Sequence, residues 1–265
     1  MNAEVRSKRL GPSRPDRPLA VFVHGLEDDW RSWRSVADSL GDGWDAVALD
    51  LPWRAGNDYG WRWTAPPASW VATGLDRLDR KPDLLVGHSF GANASLEAVA
   101  REYCGAGALA MLVPFYRAPE PRPTWRTWNR SREAFEFQMR EAVLARLGGR
   151  RERIGEALVE SMTGKVFERI GLTGFLAVFE QYVASGHLPT ETLGVPVLVV
   201  AGERDPGASR AQLSGLTGAL PDATLSWHAD FDHFCHIRHA GQVAELLTRF
   251  AASPTAHRAE RSEDR

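Results

Sequence analysis

Short apolar runs alternate along the chain with segments whose apolar positions recur every three or four residues. The runs, bounded by Gly, Pro or Asp, predict buried strands, and the periodic segments predict helices. The predicted strands are 19–23, 46–49, 84–86, 108–115, 195–201 and 223–227. The predicted helices include 32–40, 68–80, 92–103 and a last helix around 243–250. This alternation predicts an α/β fold, with a mostly parallel central sheet flanked by helices.

One long segment, residues 118–194, interrupts the alternation. It contains no predicted strand, and its pattern predicts helices over 130–147, 151–170 and 172–186. A helical insertion there predicts a cap over the carboxyl ends of the strands, where ligands of open α/β sheets bind. The alternative is that these helices extend the core. The expected divisions are a flexible lead-in of 1–18, a core of 19–117 and 195–251, a helical cap of 118–194 and a disordered, charged tail of 252–265.

Composition and charge narrow the class of protein. The 265 residues are 43% hydrophobic and 25% charged, as in soluble globular proteins, and the net charge of −2 favours neither nucleic acid nor an anionic membrane as a partner. Residues 1–17 lack the apolar run of a secretory signal, and no segment approaches the roughly 18 apolar residues of a membrane span. Cys104 and Cys235 have neither a metal-site spacing nor a disulfide framework. We expect a cytoplasmic protein that acts on a small molecule without a metal or cofactor; its oligomeric state is left open.

The candidate nucleophile is Ser89, in the sequence Gly87-His88-Ser89-Phe90-Gly91, which follows an apolar run and begins a helix. In that context a G-x-S-x-G motif forms a sharp turn between strand and helix, and the small glycines let the serine oxygen project from the backbone. Because serine is a weak nucleophile, a nearby base must take its proton. The motif therefore predicts nucleophilic catalysis by Ser89.

The partners of such a serine are expected in the order acid, then histidine. Asp205 follows the predicted strand 195–201, so its carboxylate is expected at the same sheet edge as Ser89, with Glu203 as the fallback. His233, in the loop before the last helix, is the candidate base, and His236 is its main rival. The remaining histidines are expected to be structural or solvated: His24, His88, His187, His228, His239 and His257.

Two backbone amides are candidates for stabilising an oxyanion. A tetrahedral intermediate needs preorganised N–H donors. The amide of Phe90 follows the nucleophile, and the amide of Leu26 follows His24-Gly25 at the end of the first predicted strand. Both are expected at the edge of the sheet that carries Ser89.

With these motifs in place, the sequence resembles the capped, lipase- and esterase-like proteins of the α/β-hydrolase-fold superfamily over about residues 19–251. The matching motifs are His24-Gly25, Asp50-Leu51-Pro52, Gly87-His88-Ser89-Phe90-Gly91, Gly202-Glu203-Arg204-Asp205 and Asp232-His233-Phe234. The resemblance implies a Ser89–His233–Asp205 triad and a helical cap over the pocket.

The sequence departs from that family pattern at three places. Glu27-Asp28-Asp29 stands where members carry small residues, and three carboxylates there would oppose an oxyanion unless they point away. Trp53 replaces a usual glycine, and the lead-in before Leu19 is short for the usual first two strands. These departures bear on the shape of the pocket and the number of strands.

Aromatic and basic residues suggest what the pocket would bind. The candidate pocket residues are Trp30, Trp53, Trp61, Trp125 and Trp128, whose indoles would form a broad apolar wall. Equally, these tryptophans could anchor the cap on the core. The arginines near enough in sequence to bind a substrate anion are Arg54, Arg62, Arg117 and Arg126.

The resulting hypothesis is a serine hydrolase that cleaves an ester or thioester of a hydrophobic or aromatic acyl group, with secondary metabolism as a setting. In similar proteins, dehalogenase and epoxide-hydrolase chemistry uses an aspartate where this chain has Ser89. One alternative is a non-hydrolytic lyase or cyclase that uses His233 as a base. The other is a catalytically silent protein that binds a small molecule, because fold alone does not determine function.

Overall fold

A sheet of seven strands forms the centre of the part of the chain that the structure, a computed structural model, describes: residues 4–119 and 122–253. The strands are β1 (Arg6–Arg9), β2 (Leu19–Val23), β3 (Asp45–Asp50), β4 (Leu84–His88), β5 (Ala108–Leu112), β6 (Val197–Gly202) and β7 (Ala223–His228). Their order is β1-β3-β2-β4-β5-β6-β7, and every neighbouring pair is parallel except β1 and β3. The predicted α/β fold with a mostly parallel sheet is therefore confirmed.

The parallel strands form where the sequence has continuous apolar runs. All residues of β2, β4, β5 and β6 are buried, as expected for strands covered by helices on both faces. In a parallel sheet the carboxyl ends of these strands meet at one edge, and β4 and β6 deliver their following loops there. Ser89 and Asp205 lie in those two loops.

Strand β1 corrects the expectation of a flexible lead-in for residues 6–9. Its sequence, RSKR, has no apolar alternation, and it pairs with β3 from Arg6 opposite Asp50 to Arg9 opposite Val47. An edge strand needs only backbone hydrogen bonds on one side, and charged side chains there protect it from pairing with other chains. Hydrophobic patterning therefore does not detect it.

Eight helices surround the sheet within the described residues. They are α1 (Arg34–Leu40), α2 (Pro67–Leu75), α3 (Phe90–Ala100), α4 (Trp125–Leu147), α5 (Glu156–Ala184), α6 (Arg210–Gly218), α7 (Cys235–Arg238) and α8 (Ala240–Ala251). Helix α1 packs against α8, and α2 packs against α3. These pairs bury the apolar strands of the sheet.

Helices α4 and α5 lie between β5 and β6 in the chain and pack against each other; we call them the helical insertion. Thr124 caps α4 by accepting a hydrogen bond from the amide of Thr127. Helix α5 changes direction at Gly171, whose φ of 56° suits a residue without a side chain. The three helices predicted for this segment therefore correspond to α4 and the two halves of α5.

Most of the predicted disordered tail, residues 254–265 with His257, lies outside the described residues, as do residues 1–3 of the lead-in. Among the helices that are described, none has the length and apolar character needed to cross a membrane.

Candidate active site

Ser89 occupies a strained turn between β4 and α3. Its φ of 51° and ψ of −121° lie in a region that non-glycine residues rarely adopt. A Cβ at Gly87 would lie 2.5 Å from Cα of Ala92, and one at Gly91 would lie 2.4 Å from the carbonyl oxygen of His24. The two glycines of the motif are thus required by the close approach of the backbone on both sides of Ser89.

Ser89, His233 and Asp205 form a continuous hydrogen-bonded chain. Nδ1 of His233 lies 2.7 Å from Oδ2 of Asp205, and Nε2 lies 3.0 Å from Oγ of Ser89. Since the carboxylate accepts a hydrogen bond from Nδ1–H, Nε2 can accept one from the Ser89 hydroxyl. All three side chains are buried. This geometry allows His233 to take a proton from Ser89 while Asp205 orients the imidazole.

The environment of Asp205 keeps it ionised. Burial by itself raises the pKa of this carboxyl, but the charge and hydrogen bond of His233, with hydrogen bonds from Gly207 and Gln138, more than offset burial and lower the pKa. The amide of Gly207 donates to Oδ1 at 2.8 Å, and Nε2 of Gln138 donates to the same oxygen at 3.4 Å. Glu203, the fallback acid, is exposed.

Gln138 was not a candidate in the sequence. It lies on α4, so the helical insertion contacts the Asp205–His233 pair directly; its Nε2 is also 3.2 Å from Nδ1 of His233. Because Nδ1–H already donates to Asp205, the useful hydrogen bond of the Gln138 amide is the one to the carboxylate. No motif marks this residue, since its position depends on how the insertion packs.

The two amides expected to stabilise an oxyanion are available. Within the described residues, the amides of Leu26 and Phe90 donate to no acceptor. Leu26 also lines a cavity of about 30 Å³ that opens at Ser89. A space of that size holds one or two water molecules.

The wall of this small cavity is mostly apolar. Phe135, Met139, Ala142 and Val178 come from the helical insertion, and Ile237 comes from α7. The insertion therefore covers Ser89 and supplies much of the surface that a bound substrate would touch.

The expectation of a tryptophan-lined pocket is wrong for this cavity, because none of its five candidate indoles lines it. Trp53 and Trp61 are buried against Phe90, with ring centroids 5.2 Å and 5.9 Å from its ring. Large aromatic side chains contribute strongly to core packing. These two pack against Phe90, in the first turn of α3.

The other three tryptophans also make their contacts outside this cavity. The guanidinium of Arg31 stacks over Trp30. Trp125 is 81% exposed at the start of α4, and Trp128 packs against Phe175 within the insertion. Sequence patterning could not separate these roles, since packing and pocket lining both use apolar side chains.

The rival histidine, His236, is fully buried and belongs to a different cluster. Its ring lies 4.1 Å from the ring of His88, and Nε2 of His88 donates to the carbonyl oxygen of His233 at 2.7 Å. Burial lowers the pKa of His88 well below its ordinary value, so this imidazole is neutral at pH 7. His88 thus fixes the backbone of the residue that contacts Ser89.

Asp28 completes this cluster. Its carboxylate lies 3.8 Å from Nε2 of His236. Burial raises the pKa of Asp28, but the pKa lies below its ordinary value, and the neighbouring His236 imidazole is the largest of the influences that lower it. Asp28, His88 and His236 each place one ligand atom within 4.8 Å of the others, so these are the described residues that could hold a metal ion.

The other two acidic residues after Leu26 are also compensated. Glu27 is 2% exposed and accepts hydrogen bonds from Asn57 at 3.0 Å, from the Tyr59 hydroxyl at 2.8 Å and from both terminal nitrogens of Arg169 on α5. Asp29 accepts from the amide of Arg31 and caps the short helix Trp30–Trp33. The acidic run therefore does not leave unpaired charge beside the Leu26 amide.

Among the candidate arginines, Arg54 pairs with Asp50 and Arg62 pairs with Glu180. Arg117 is buried and donates to the carbonyl of Arg122. Arg126 instead faces a second cavity, of about 440 Å³, next to the first.

Comparison with known proteins gives a consistent result. A family model described as the alpha/beta hydrolase family matches residues 20–246. The lipase LipV of Mycobacterium tuberculosis is 30% identical over 115 residues, a match that covers 43% of this chain and 43% of the lipase. In solved structures, the thioesterase domain from the curacin biosynthetic pathway aligns with a TM-score of 0.63 and 17% identity over 92% of this chain and 99% of that one. The enol-lactonase from Burkholderia xenovorans aligns with a TM-score of 0.66 and 21% identity over 95% and 97%. At these identities the structural matches support the fold alone.

Proposed function

Since the chain belongs to the alpha/beta hydrolase family, we propose that it is a serine hydrolase that cleaves an ester or thioester of a hydrophobic acyl group. The observation that carries the proposal is the buried chain of hydrogen bonds from Ser89 through His233 to Asp205, at 3.0 Å and 2.7 Å. A lipase among the proteins of similar sequence supports this class of acyl chemistry.

The proposed reaction has two steps through an acyl-enzyme. Oγ of Ser89 attacks the carbonyl carbon as its proton passes to Nε2 of His233, and Asp205 stabilises the imidazolium. The bond to the leaving oxygen or sulfur then breaks, and His233 returns the proton to that atom. A water molecule next loses a proton to His233 and attacks the acyl carbon. The bond from that carbon to Oγ of Ser89 then breaks, and His233 returns the proton to Oγ as the acid leaves.

In each step the carbonyl oxygen becomes an oxyanion. The amides of Leu26 and Phe90 are proposed to donate to it, and such preorganised donors are worth about 3–4 kcal/mol each in characterised enzymes. Their lack of other acceptors in the described residues supports this role.

An apolar acyl group suits the lining of the site. Phe135, Met139, Ala142 and Val178 surround the approach to Ser89, and apolar walls with a few polar groups are typical of small-molecule sites. Because the cavity at Ser89 is only about 30 Å³, the insertion must shift to admit a substrate, and we propose that it acts as a cap.

Two features of the sequence would favour the lyase or cyclase alternative: the acidic run after Leu26 and the unusual Trp53. Glu27 is paired with Arg169, Asp28 faces His236, and Trp53 is a buried packing residue. These contacts remove the specific reasons for preferring non-hydrolytic chemistry.

A fluorophosphonate probe and p-nitrophenyl acyl esters of increasing chain length test the proposal. Wild type should be labelled and should hydrolyse the esters, and Ser89→Ala should do neither. His233→Ala should abolish labelling while His236→Ala retains it, with folding checked by circular dichroism. An unlabelled wild type would exclude the acyl-enzyme, and labelling without ester turnover would favour the lyase alternative.

A further inference from the structure

The second cavity, of about 440 Å³, lies beside the site at Ser89. Phe135, Gln138 and Val178 line both cavities and so form the wall between them. Pro206 and Gly207, which directly follow Asp205, line its other side. A substrate whose carbonyl reaches Ser89 can therefore place a second group in this larger space once the side chains of the wall move.

The charge of the cavity is one-sided. Arg117, Arg126 and Arg130 are among its lining residues, and none of the described residues that line it carries a carboxylate. Arg126 and Arg130 are four residues apart on α4, so their side chains project from the same face of the helix. Both are exposed.

The arginines of α4 fall into two groups, those that line the cavity and those that pair with a carboxylate. Arg132, Arg140 and Arg146 do not line the cavity, and each has a carboxylate partner: Glu136, Glu156 and Asp28, respectively. Within the described part of the chain, Arg126 and Arg130 form no such ion pair. The two cationic groups that face the cavity are thus the ones on this helix left to bind something else.

The spacing along α4 relates these charges to the reacting atoms. Gln138 contacts Asp205. Ala134, Arg130 and Arg126 precede it on α4 at intervals of four residues and, like Gln138, line the cavity. At a rise of 1.5 Å per residue, Arg130 lies roughly 12 Å along the helix from Gln138. Three backbone-like bonds span about 3.5 Å, so a chain of about ten bonds covers that distance.

We infer that this cavity binds an anionic group of the substrate, a carboxylate or phosphate held by Arg126 and Arg130, about ten to fifteen bonds from the cleaved carbonyl. The inference rests on the proposed acyl hydrolysis and names its substrate class. The anion can belong to the acyl chain, as in a dicarboxylic half-ester, or to the leaving group, as in a phosphate-bearing pantetheine thioester. Both present the same chemistry to the guanidinium groups.

Matched substrates distinguish these sources. The first pair is the p-nitrophenyl half-ester of dodecanedioic acid against p-nitrophenyl dodecanoate. The second is octanoyl-coenzyme A against octanoyl-pantetheine. In at least one pair, kcat/KM should be higher for the anionic member by about tenfold or more. The reason is that Arg126 and Arg130 can donate charge-assisted hydrogen bonds to the anion and not to its neutral counterpart. About 1 M salt, which shortens the Debye length to about 3 Å, should reduce the ratio.

The double variant Arg126→Gln/Arg130→Gln should lower the favourable ratio about tenfold. The matched control is Arg132→Gln, because Arg132 is on the same helix, equally exposed and paired with Glu136. It should retain the wild-type ratio. Ratios near one in both pairs, or a ratio that survives the double variant, would overturn the inference.

Failure of the proposed function would be recognised separately, as loss of fluorophosphonate labelling and of turnover for neutral and anionic substrates alike. Calorimetry of dodecanedioate and dodecanoate binding to Ser89→Ala then tests the arginines without turnover. Tighter binding of dodecanedioate that is lost with Arg126→Gln/Arg130→Gln would support the anion site if the acyl chain carries the charge. Free coenzyme A against pantetheine provides the same comparison for the leaving group. Equal binding in both comparisons would overturn it.

Discussion

The ion pair between Glu27 and Arg169 makes a quantitative prediction about how the helical insertion is held on the sheet. Glu27 follows Leu26, whereas Arg169 lies on α5, 142 residues farther along the chain. In Arg169→Met the carboxylate would stay buried and lose its cation, while the volume of the side chain is roughly kept. We expect this variant to be clearly less stable than wild type.

The structure sets the size of the effect. Removing one partner of a buried ion pair costs about 3–5 kcal/mol. Arg169 is 36% exposed, and Tyr59 and Asn57 would still donate to Glu27, so the loss should lie at or just below the bottom of that range, at about 2–3 kcal/mol. Glu27→Gln removes the charge itself. The double variant should therefore lose less stability than the sum of the losses in the two single variants.

Urea unfolding followed by tryptophan fluorescence measures each free energy, and the four proteins form a double-mutant cycle. We expect a coupling of about 2 kcal/mol. The matched control is a more exposed pair between core and insertion, Arg62 with Glu180. Because Glu180 is 63% exposed, the coupling of this pair should be below about 1 kcal/mol. A coupling for Glu27 and Arg169 no larger than this control would refute the role assigned to the buried pair.

Three further predictions concern Gly91, Asp205 and the two cysteines. Gly91→Ala should abolish ester turnover and lower Tm in circular dichroism, because its Cβ would lie 2.4 Å from the carbonyl oxygen of His24; a variant as active as wild type would contradict the close approach. The pKa of Asp205 is lower in the folded than in the unfolded chain, so its stabilising contribution is present above the unfolded value of about 3.9 and is lost as pH falls through the folded value. Urea titrations over acidic pH should accordingly show a smaller loss of stability in Asp205→Asn than in wild type, and identical profiles would contradict this. Burial raises the pKa of Cys104 to about 11 and that of Cys235 further, so mass spectrometry should find neither alkylated by iodoacetamide at about pH 8 until the protein unfolds; rapid labelling of native Cys235 would be the opposing result.

Hydrophobic patterning predicted the parallel strands because each must be apolar on both faces. It missed β1, since an edge strand such as Arg6–Arg9 is specified by backbone pairing with β3 and by its charged exposure. The break in α5 at Gly171 was predicted because a change of helix direction needs a local signal, and glycine provides one.

The candidate site divides along similar lines. Ser89, Asp205 and His233 lie in loops that come after strands of the sheet, and the carboxyl ends of parallel strands meet at one edge. Short motifs at these strand ends therefore suffice to propose the three residues. Gln138 and Arg169 reach the site only through the packing of α4 and α5, which no local pattern specifies. The tryptophans were misplaced because an apolar residue in a loop carries no mark that separates a pocket wall from the core.

The acidic run after Leu26 connects the proposed oxyanion donor to the position of the insertion. Arg169 of α5 holds the Glu27 side chain, and Arg146 of α4 donates to the Glu27 carbonyl oxygen and lies 3.7 Å from Asp28. On the core side, the amide of Glu27 donates to the carbonyl of Trp53 at 3.0 Å. A movement of the insertion large enough to admit a substrate would loosen the contacts of Arg169 and Arg146 with the acidic run. The hydrogen bond from the Glu27 amide to the core would stay. The Leu26 amide, the proposed oxyanion donor, would then be held in place again only when the insertion closes over the bound acyl group. The acidic run, which departs from the family pattern, would in this way couple enclosure of the substrate to the geometry of catalysis.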